Sequence, residues 1–331
     1  MTAANPDNGK PRRVRPACIA LAAYVALLLV LPGAATGQTS EAAPAPAATT
    51  TAAARSGTDA DAQAPDDTPG RDPAPATAGG SSPQKNADNP GTDVKDLDAR
   101  IARWKQIDWE ALVQKDQVEF LAKLRQKCIE TLVDFTATFH KQERIRGKLR
   151  GKEVAQMKFR AEPFSVYMKY TKGDKGREAL YVDGRYDNKL QVHPGGLLGP
   201  LFQLKIEPDS DLATWDNLRL ITMAGMTSML NTVLPQFELA RANGDLTVSY
   251  LGKMDVGGRK AYAIKRILPK KDIYPCKELV FFIDCQALVP IGADSYAWDN
   301  QLQSTYRYTD FKLNTGLTDD DFDRRNKAYN F

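Results

Sequence analysis

Three charged residues within a β-patterned stretch are the best placed for chemistry. They are Glu143 in "HKQERI", Arg160 beside Glu162 in "KFRAEPF", and Glu178 after Arg177 in "KGREALYV". Adjacent antiparallel strands are expected to bring Glu143, Arg160 and Glu178 to neighbouring positions on one face. Cross-strand ion pairing is the plainer use of such a row, and it contributes a few tenths to about 1 kcal/mol per pair while helping to set register. The catalytic use is a carboxylate pair. Glu143 and Glu178 facing one pocket at about 5–9.5 Å would have the geometry of a glycosidic hydrolase. The binding use is a polar row at the mouth of a pocket. Arg160, Arg177 or His193 would then meet a head group, while Phe164, Met168, Tyr181 and Met226 meet an apolar chain.

Other catalytic signatures are missing. His140 and His193 are the only histidines, and neither stands in a metal-ligand spacing such as HExxH. There is no GxSxG elbow, P-loop or GxGxxG, so no metal and no cofactor is expected. Cys128, Cys276 and Cys285 follow the N-terminal region. Cys276 and Cys285 bracket "KELVFFID", whose extended length of roughly 30 Å is too great for a bridge. All three are expected to be small buried thiols.

The elements that position these residues follow from periodicity. Leu97–Val113 reads as helix and carries Trp104 and Trp109. Val118, Leu121, Leu124, Cys128 and Leu132 recur at helical spacing, the stripe of an amphipathic helix with one buried face. The period then changes to two. Phe135, Ala137 and Phe139 alternate with Thr136, Thr138 and His140, which predicts a strand. "EVAQMKFRA", "FSVYMKY", "REALYVDG" and "NKLQVHPG" continue as strands joined by short turns, hence an antiparallel meander. A middle segment, "TMAGMTSMLNTVLPQFELARANG", reads as helix with a break or kink near Pro235. Its Met223, Met226, Met229 and Leu230 suit either a plain core face or an adaptable apolar surface. Strands then resume to the C-terminal region, giving about ten strands and two or three helices. A sheet of that length is expected to curl, with helices closing its apolar face.

The address lies upstream. Lys10, Arg12, Arg13 and Arg15 precede the apolar run Ala17–Leu31 and the small residues up to Gly37, the three parts of a secretory signal over residues 1–37. Fifteen helical residues span about 22 Å, short of a roughly 30 Å bilayer core, so cleavage is preferred over an N-terminal anchor. Cys18 stands at the start of the run rather than after it, so it is not placed as a lipoprotein cysteine. Residues 38–95 are Ala, Pro, Thr, Asp, Gly and Ser with Val94 as the only large apolar side chain, and are expected to form a disordered linker. Residues 97–331 form the folded domain. The whole chain carries +4, and a mild surplus of 37 basic over 32 acidic residues after residue 95 does not point to nucleic acid. A periplasmic protein is expected, with secretion or N-terminal anchoring as alternatives. Membrane-surface contact would come only through an uncleaved N-terminal segment.

The blocks "HKQERIRGKL", "KFRAEPFSVYMKY", "KGREALYVDG", "LQVHPGG", "ITMAGM" and "KLNTGLTDDDFDRRNKAYNF", in that order, resemble a bacterial exported family of unknown function, domain family number fifteen seventy-one. The resemblance covers most of Leu132–Phe331 and brings no activity with it. More distantly, the order of helix, meander, middle helix and second strand set is similar to the LolA/LolB lipoprotein-carrier fold. That resemblance implies a mainly antiparallel β fold with covering α-helices, curved into an incomplete β-barrel around an apolar cavity that holds acyl chains. The expected function is therefore non-enzymatic binding of a lipid or other hydrophobic ligand in the cell envelope. The alternatives are an envelope interaction module with a protein partner, and the paired-carboxylate hydrolase.

Overall fold

A computed structural model describes residues 94–196, 199 and 202–331. The signal and nearly all of the linker expected from the sequence lie outside the described residues. The first helix begins at Val94, and the helix expected over Leu97–Val113 is two helices. These are α1 (Val94–Trp104) and α2 (Trp109–Lys115). Asp108 divides them because its carboxylate accepts the Ala111 N–H at 3.0 Å and caps α2. Asp116 caps α3 (Gln117–Thr131) in the same way through Val118 and Glu119 N–H. The apolar stripe of α3 is buried as its spacing demands, and Phe120 widens it.

All strands among the described residues join one open, antiparallel, twelve-stranded sheet. β1 (Asp134–Ile145) lies at its centre and also carries the two-residue β2 (Lys148–Leu149). From one side of β1 runs the first meander: β3 (Glu153–Arg160), β4 (Ser165–Lys172), β5 (Glu178–Val182), β6 (Leu190–His193) and β7 (Leu204–Ile206). A connection containing the short helix α4 (Asp211–Thr214) then leads to α5 (Met226–Ala242). The second meander starts at the far edge with β8 (Thr247–Val256) and returns through β9 (Arg259–Ile267), β10 (Glu278–Asp284) and β11 (Pro290–Tyr296). Its last strand, β12 (Leu302–Leu313), pairs with β1, Phe135 opposite Leu313. Among the described residues the strand order leaves β7 and β8 as edges, so the sheet is not closed into a barrel.

α3 and α5 cover the inner face, where one apolar cluster joins them to strands of both meanders. Phe135 stacks on Phe159 at 4.9 Å and meets Tyr308 edge-on at 5.8 Å. α5 is not broken at Pro235 but runs through it from Met226 to Ala242. Proline removes one backbone donor from a seventeen-residue helix, and burial of Met226, Leu230, Leu234, Phe237 and Ala240 outweighs that loss. Gly225 starts this helix. It has φ 109°, and a Cβ there would lie 2.6 Å from the Phe159 ring. Its N–H donates to the Tyr308 hydroxyl at 3.3 Å.

The other face of the first meander is crossed by the C-terminal segment 314–331, here called the strap. Phe322 is fully buried with Tyr167, Leu180 and Val182, and Tyr329 stacks on Tyr167 at 3.8 Å. Asp134, at the start of β1, holds the strap's first turn. Its buried carboxylate accepts from Thr315 N–H at 2.6 Å, Thr315 Oγ1 at 2.9 Å, Gly316 N–H at 3.0 Å and Leu317 N–H at 3.1 Å.

Gly225→Ala is expected to lower stability by about 2–4 kcal/mol in urea unfolding, through positive φ and the clash with Phe159. A change under about 0.5 kcal/mol would show that the close approach is not needed.

Candidate functional site

Strand register separates the charged residues that were expected on one face. Asp134 pairs with Arg160, Arg160 with Ser165, Ser165 with Val182, and Lys169 with Glu178. Arg160 and Glu178 therefore share the outer face under the strap. Glu143 alternates with Phe139 and Lys141 on the inner face. The expected Glu143–Arg160–Glu178 row is thus corrected: the sheet lies between Glu143 and Glu178, and the two carboxylates cannot flank one substrate.

On the outer face, Arg160 pairs with Asp319 at 2.8 Å and stacks over Phe322 at 5.0 Å. Lys158 meets Asp321 at 2.8 Å. Glu178 is fully buried, pairs with Lys169 at 2.9 Å, and accepts the Asn330 backbone N–H at 3.0 Å and its side-chain amide. Burial, with Glu178 beside it, pushes the Tyr167 phenol up, so it stays neutral beneath the strap. His193, opposite Glu178 in register, is buried; its Nδ1 lies 3.3 Å from the Gly176 carbonyl and its Nε2 has no partner among the described residues.

On the inner face a second polar cluster lies beyond the helical cover. Lys141 is buried between Glu153 at 3.4 Å and Glu143 at 3.6 Å, and donates to Asn217. Burial opposes its charge, but Tyr170, Glu143 and Glu153 hold its pKa above the usual lysine value. Glu143 also accepts from the Tyr306 hydroxyl at 2.5 Å and from Leu218 N–H at 3.2 Å. Burial and the Glu143 charge push the Tyr306 pKa up, which keeps that proton on the phenol. Arg177 bonds Glu153 at 3.1 Å and Asp174 at 2.5 Å, and lies over the Tyr170 ring at 4.0 Å.

The apolar residues proposed from the sequence share the inner side. Phe164 meets Tyr181 at 6.1 Å and Phe159 at 5.5 Å. Met168, Tyr181 and Met226 are buried, with Met226 following the glycine that abuts Phe159. An open pocket of about 330 Å³ lies elsewhere, between the start of α3 and β8, lined by Asp116, Gln117, Arg241 and Val248 among others. None of the sequence-proposed residues lines it. Lys141, Tyr306 and the strap aspartates are the participants that sequence reading missed. The signal for Lys141 was present: it continues the alternation of Phe135, Ala137 and Phe139 onto the buried face.

Lys141→Met leaves buried Glu143 without its cation, while Glu153 keeps Arg177, and is expected to cost about 3–5 kcal/mol in urea unfolding. A double-mutant cycle with Glu143→Gln should give a coupling of about 1–3 kcal/mol, and additive losses would show that the pair does not interact. On the other face, Asp134→Ala strands three backbone donors. Amide hydrogen exchange should rise across residues 315–331 while α3 and α5 stay protected; unchanged exchange in the strap would contradict its anchoring by Asp134.

No curated protein matches the chain. Solved structures with a similar course include the lipoprotein LppX of Mycobacterium tuberculosis, at 12% identity and TM-score 0.36, covering 61% of this chain and 97% of that one. A LolA superfamily protein from Nitrosomonas europaea matches at 11% identity and TM-score 0.26, covering 62% of this chain and 97% of that one. The Pseudomonas aeruginosa MucA/MucB complex matches at 14% identity and TM-score 0.36, covering 61% of this chain and 58% of that one. These likenesses are too loose to bring a ligand or a partner with them. The family comparison is firmer: residues 132–331, which hold every described strand and the strap, match the family described as protein of unknown function DUF1571. The chain belongs to the DUF1571 family.

Proposed function

We propose that this protein is an exported cell-envelope protein that binds an apolar chain, acyl or similar, on the inner side of the first meander. One observation carries the reading. The connection 207–224 leaves edge strand β7 and reaches β1, where Asn217 meets Lys141 and Leu218 meets Glu143. It therefore crosses the inner side of the intervening strands. It carries Leu212, Trp215, Leu218, Leu220, Ile221 and Met223, yet none of its residues is buried. The inner face of those strands carries Val166, Met168 and Tyr181, all buried.

A roof rich in apolar side chains, none of them fully withdrawn from water, gains surface burial when a chain slides under it. It can also lift without breaking a ladder bond. Trp215, 38% exposed with the Arg146 guanidinium 3.6 Å from its ring centroid, marks the rim. Lys141 and Arg177 sit in the same inner-face polar cluster, each paired with carboxylates. They suit hydrogen bonding to a polar head better than capture of a bare anion.

A second reading rests on edge strand β8, where Leu251 and Met254 are 42% and 44% exposed beside unpaired ladder groups. Such an edge suits an envelope protein partner.

Titration with a dibrominated stearate tests the first reading, because bromine quenches indole emission at contact range. Quenching is expected in the wild type and should fall sharply in Trp215→Phe, since Trp104 and Trp109 pack together beside Glu130 of α3 and Trp298 packs with Ala240, Leu268 and Tyr274. Native mass spectrometry of the purified chain should show co-purifying lipid that Met168→Asp abolishes. Unchanged emission together with an empty protein would overturn apolar binding and leave the β8 edge as the better-supported surface.

A further inference from the structure

The sequence predicts membrane contact only through an N-terminal segment, yet one end of the folded sheet concentrates positive charge. Residues 144–152, from the end of β1 to the turn before β3, read "RIRGKLRGK", five cations and no carboxylate. Residues 172–177, from the end of β4 to the start of β5, read "KGDKGR", three more cations against Asp174. Strand register sets the two segments side by side. Val154 pairs with Lys172, and a Cβ at Gly173 would lie 2.6 Å from Glu153 Cγ.

The carboxylates in contact with this surface are already taken. Glu153 is held by Lys141 and Arg177, Asp174 by Arg177, and Asp216 by Arg150. Arg144 donates to the carbonyls of Leu302 and Gly147. Arg146, Lys148, Lys152, Lys172 and Lys175 are exposed, and none of them pairs with a carboxylate among the described residues. Like charges gathered in this way repel one another and attract an anionic surface. Two large apolar side chains flank them in the open. Trp215, from the roof, lies against the Arg146 guanidinium, and Phe202, 48% exposed, stands just before β7. Leu204 pairs with Val192 and Val192 with Ala179, which brings that end of β7 towards residues 172–177.

We propose that this end of the sheet docks on the surface of an anionic phospholipid bilayer, with the unpaired lysines and Arg146 among the head groups and Trp215 and Phe202 at the interface. Each basic side chain near such a surface raises partitioning about five-fold, and aromatic rings settle at head-group depth. The attraction fades within a Debye length, so it is sensitive to salt. Choosing a bilayer over a soluble polyanion rests on the apolar-chain reading of the roof; the basic surface itself does not. Docking would turn the rim of the roof towards the bilayer, so that a chain could pass between them without crossing water.

Sedimentation of the full chain with vesicles tests the docking. Vesicles of phosphatidylcholine with about one-third phosphatidylglycerol should carry the protein down, and about 0.5 M salt should release most of it. Lys148→Gln, Lys152→Gln and Lys175→Gln together are expected to lower partitioning about a hundred-fold. Lys260→Gln, Lys312→Gln and Lys327→Gln remove the same charge from exposed positions elsewhere and should change it less than about two-fold. The N-terminal segment is common to all three proteins and cannot make that difference. Indole emission should shift to shorter wavelength on the anionic vesicles, and Trp215→Phe should lose the shift. Equal losses in the two triple variants, or none in the first, would overturn the docking surface. Dextran sulfate bound as tightly as the vesicles, with no emission shift, would overturn the bilayer as its partner. Vesicles left unbound while dibrominated stearate still quenches would sink the docking alone and leave apolar binding standing. Vesicle binding without stearate quenching would uphold the docking and remove the chain.

Discussion

The pairing of β1 with β12 is the constraint on which the rest depends. Each meander could form locally, since its strands follow one another through short turns, but each would end in an open edge at its inner strand. The contact Phe135–Leu313 closes that gap across most of the described chain. It also aligns residues on both faces. Phe135 points inward to Phe159 and Tyr308, while its neighbour Asp134 points outward to the strap. A one-residue slip of β1 would exchange these two environments, placing a carboxylate in the apolar cluster and a phenyl ring against backbone donors. The register is therefore strongly specified. The closure entropy of so long a loop makes it a late event in folding.

The charged residues follow the same logic on each face. Lys141, Glu143, Glu153 and Tyr306 extend the inner face past the reach of the helices, where water must be replaced by partners. Each of them has one. Such a network adds little net stability against an apolar substitute, because desolvation offsets most of the attraction. It does penalise wrong pairings, since any shift would leave a buried charge alone. On the outer face the strap plays the partner, with Asp319, Asp321 and Asn330 answering Arg160, Lys158 and Glu178. The residues that first suggested catalysis thus hold the sheet's two coverings in place.

Much of this architecture was legible in the sequence because periodicity reports burial directly. The stripe Val118–Leu121–Leu124–Cys128 and the alternation after Phe135 each reflect one buried face, and the antiparallel order followed from short turns. What could not be read depends on contacts distant in sequence. Whether Glu143 and Glu178 share a face is decided by the summed parity of three strand pairings, and a single bulge reverses the answer. The break or kink read at Pro235 is not a break, because local propensity cannot weigh the five apolar anchors of α5. Asp108 was a capping signal inside an apparently continuous helix. The segment after Leu313 has no periodicity at all, and it folds only because the outer face of the first meander supplies its partners.

The two halves of the sheet differ in how their inner faces are covered, and that difference bears on where motion is affordable. α5 packs on β11 and α3 on β8, so the second half is closed by helices whose apolar faces are fully buried. The first half shares the start of α5 and adds the connection 207–224, without one buried residue and held mainly by side-chain bonds to Lys141, Glu143 and Arg150. Segments with few buried apolar contacts open at lower free energy than the core they cover. Opening the roof would expose the Lys141 cluster to water, which solvates its charges and lowers the penalty of separation. Opening α5 would instead uncover Met226, Leu230 and Phe237, with no such compensation. The inner face of the first meander is therefore the side of this fold where opening costs least, while the second half keeps the molecule folded.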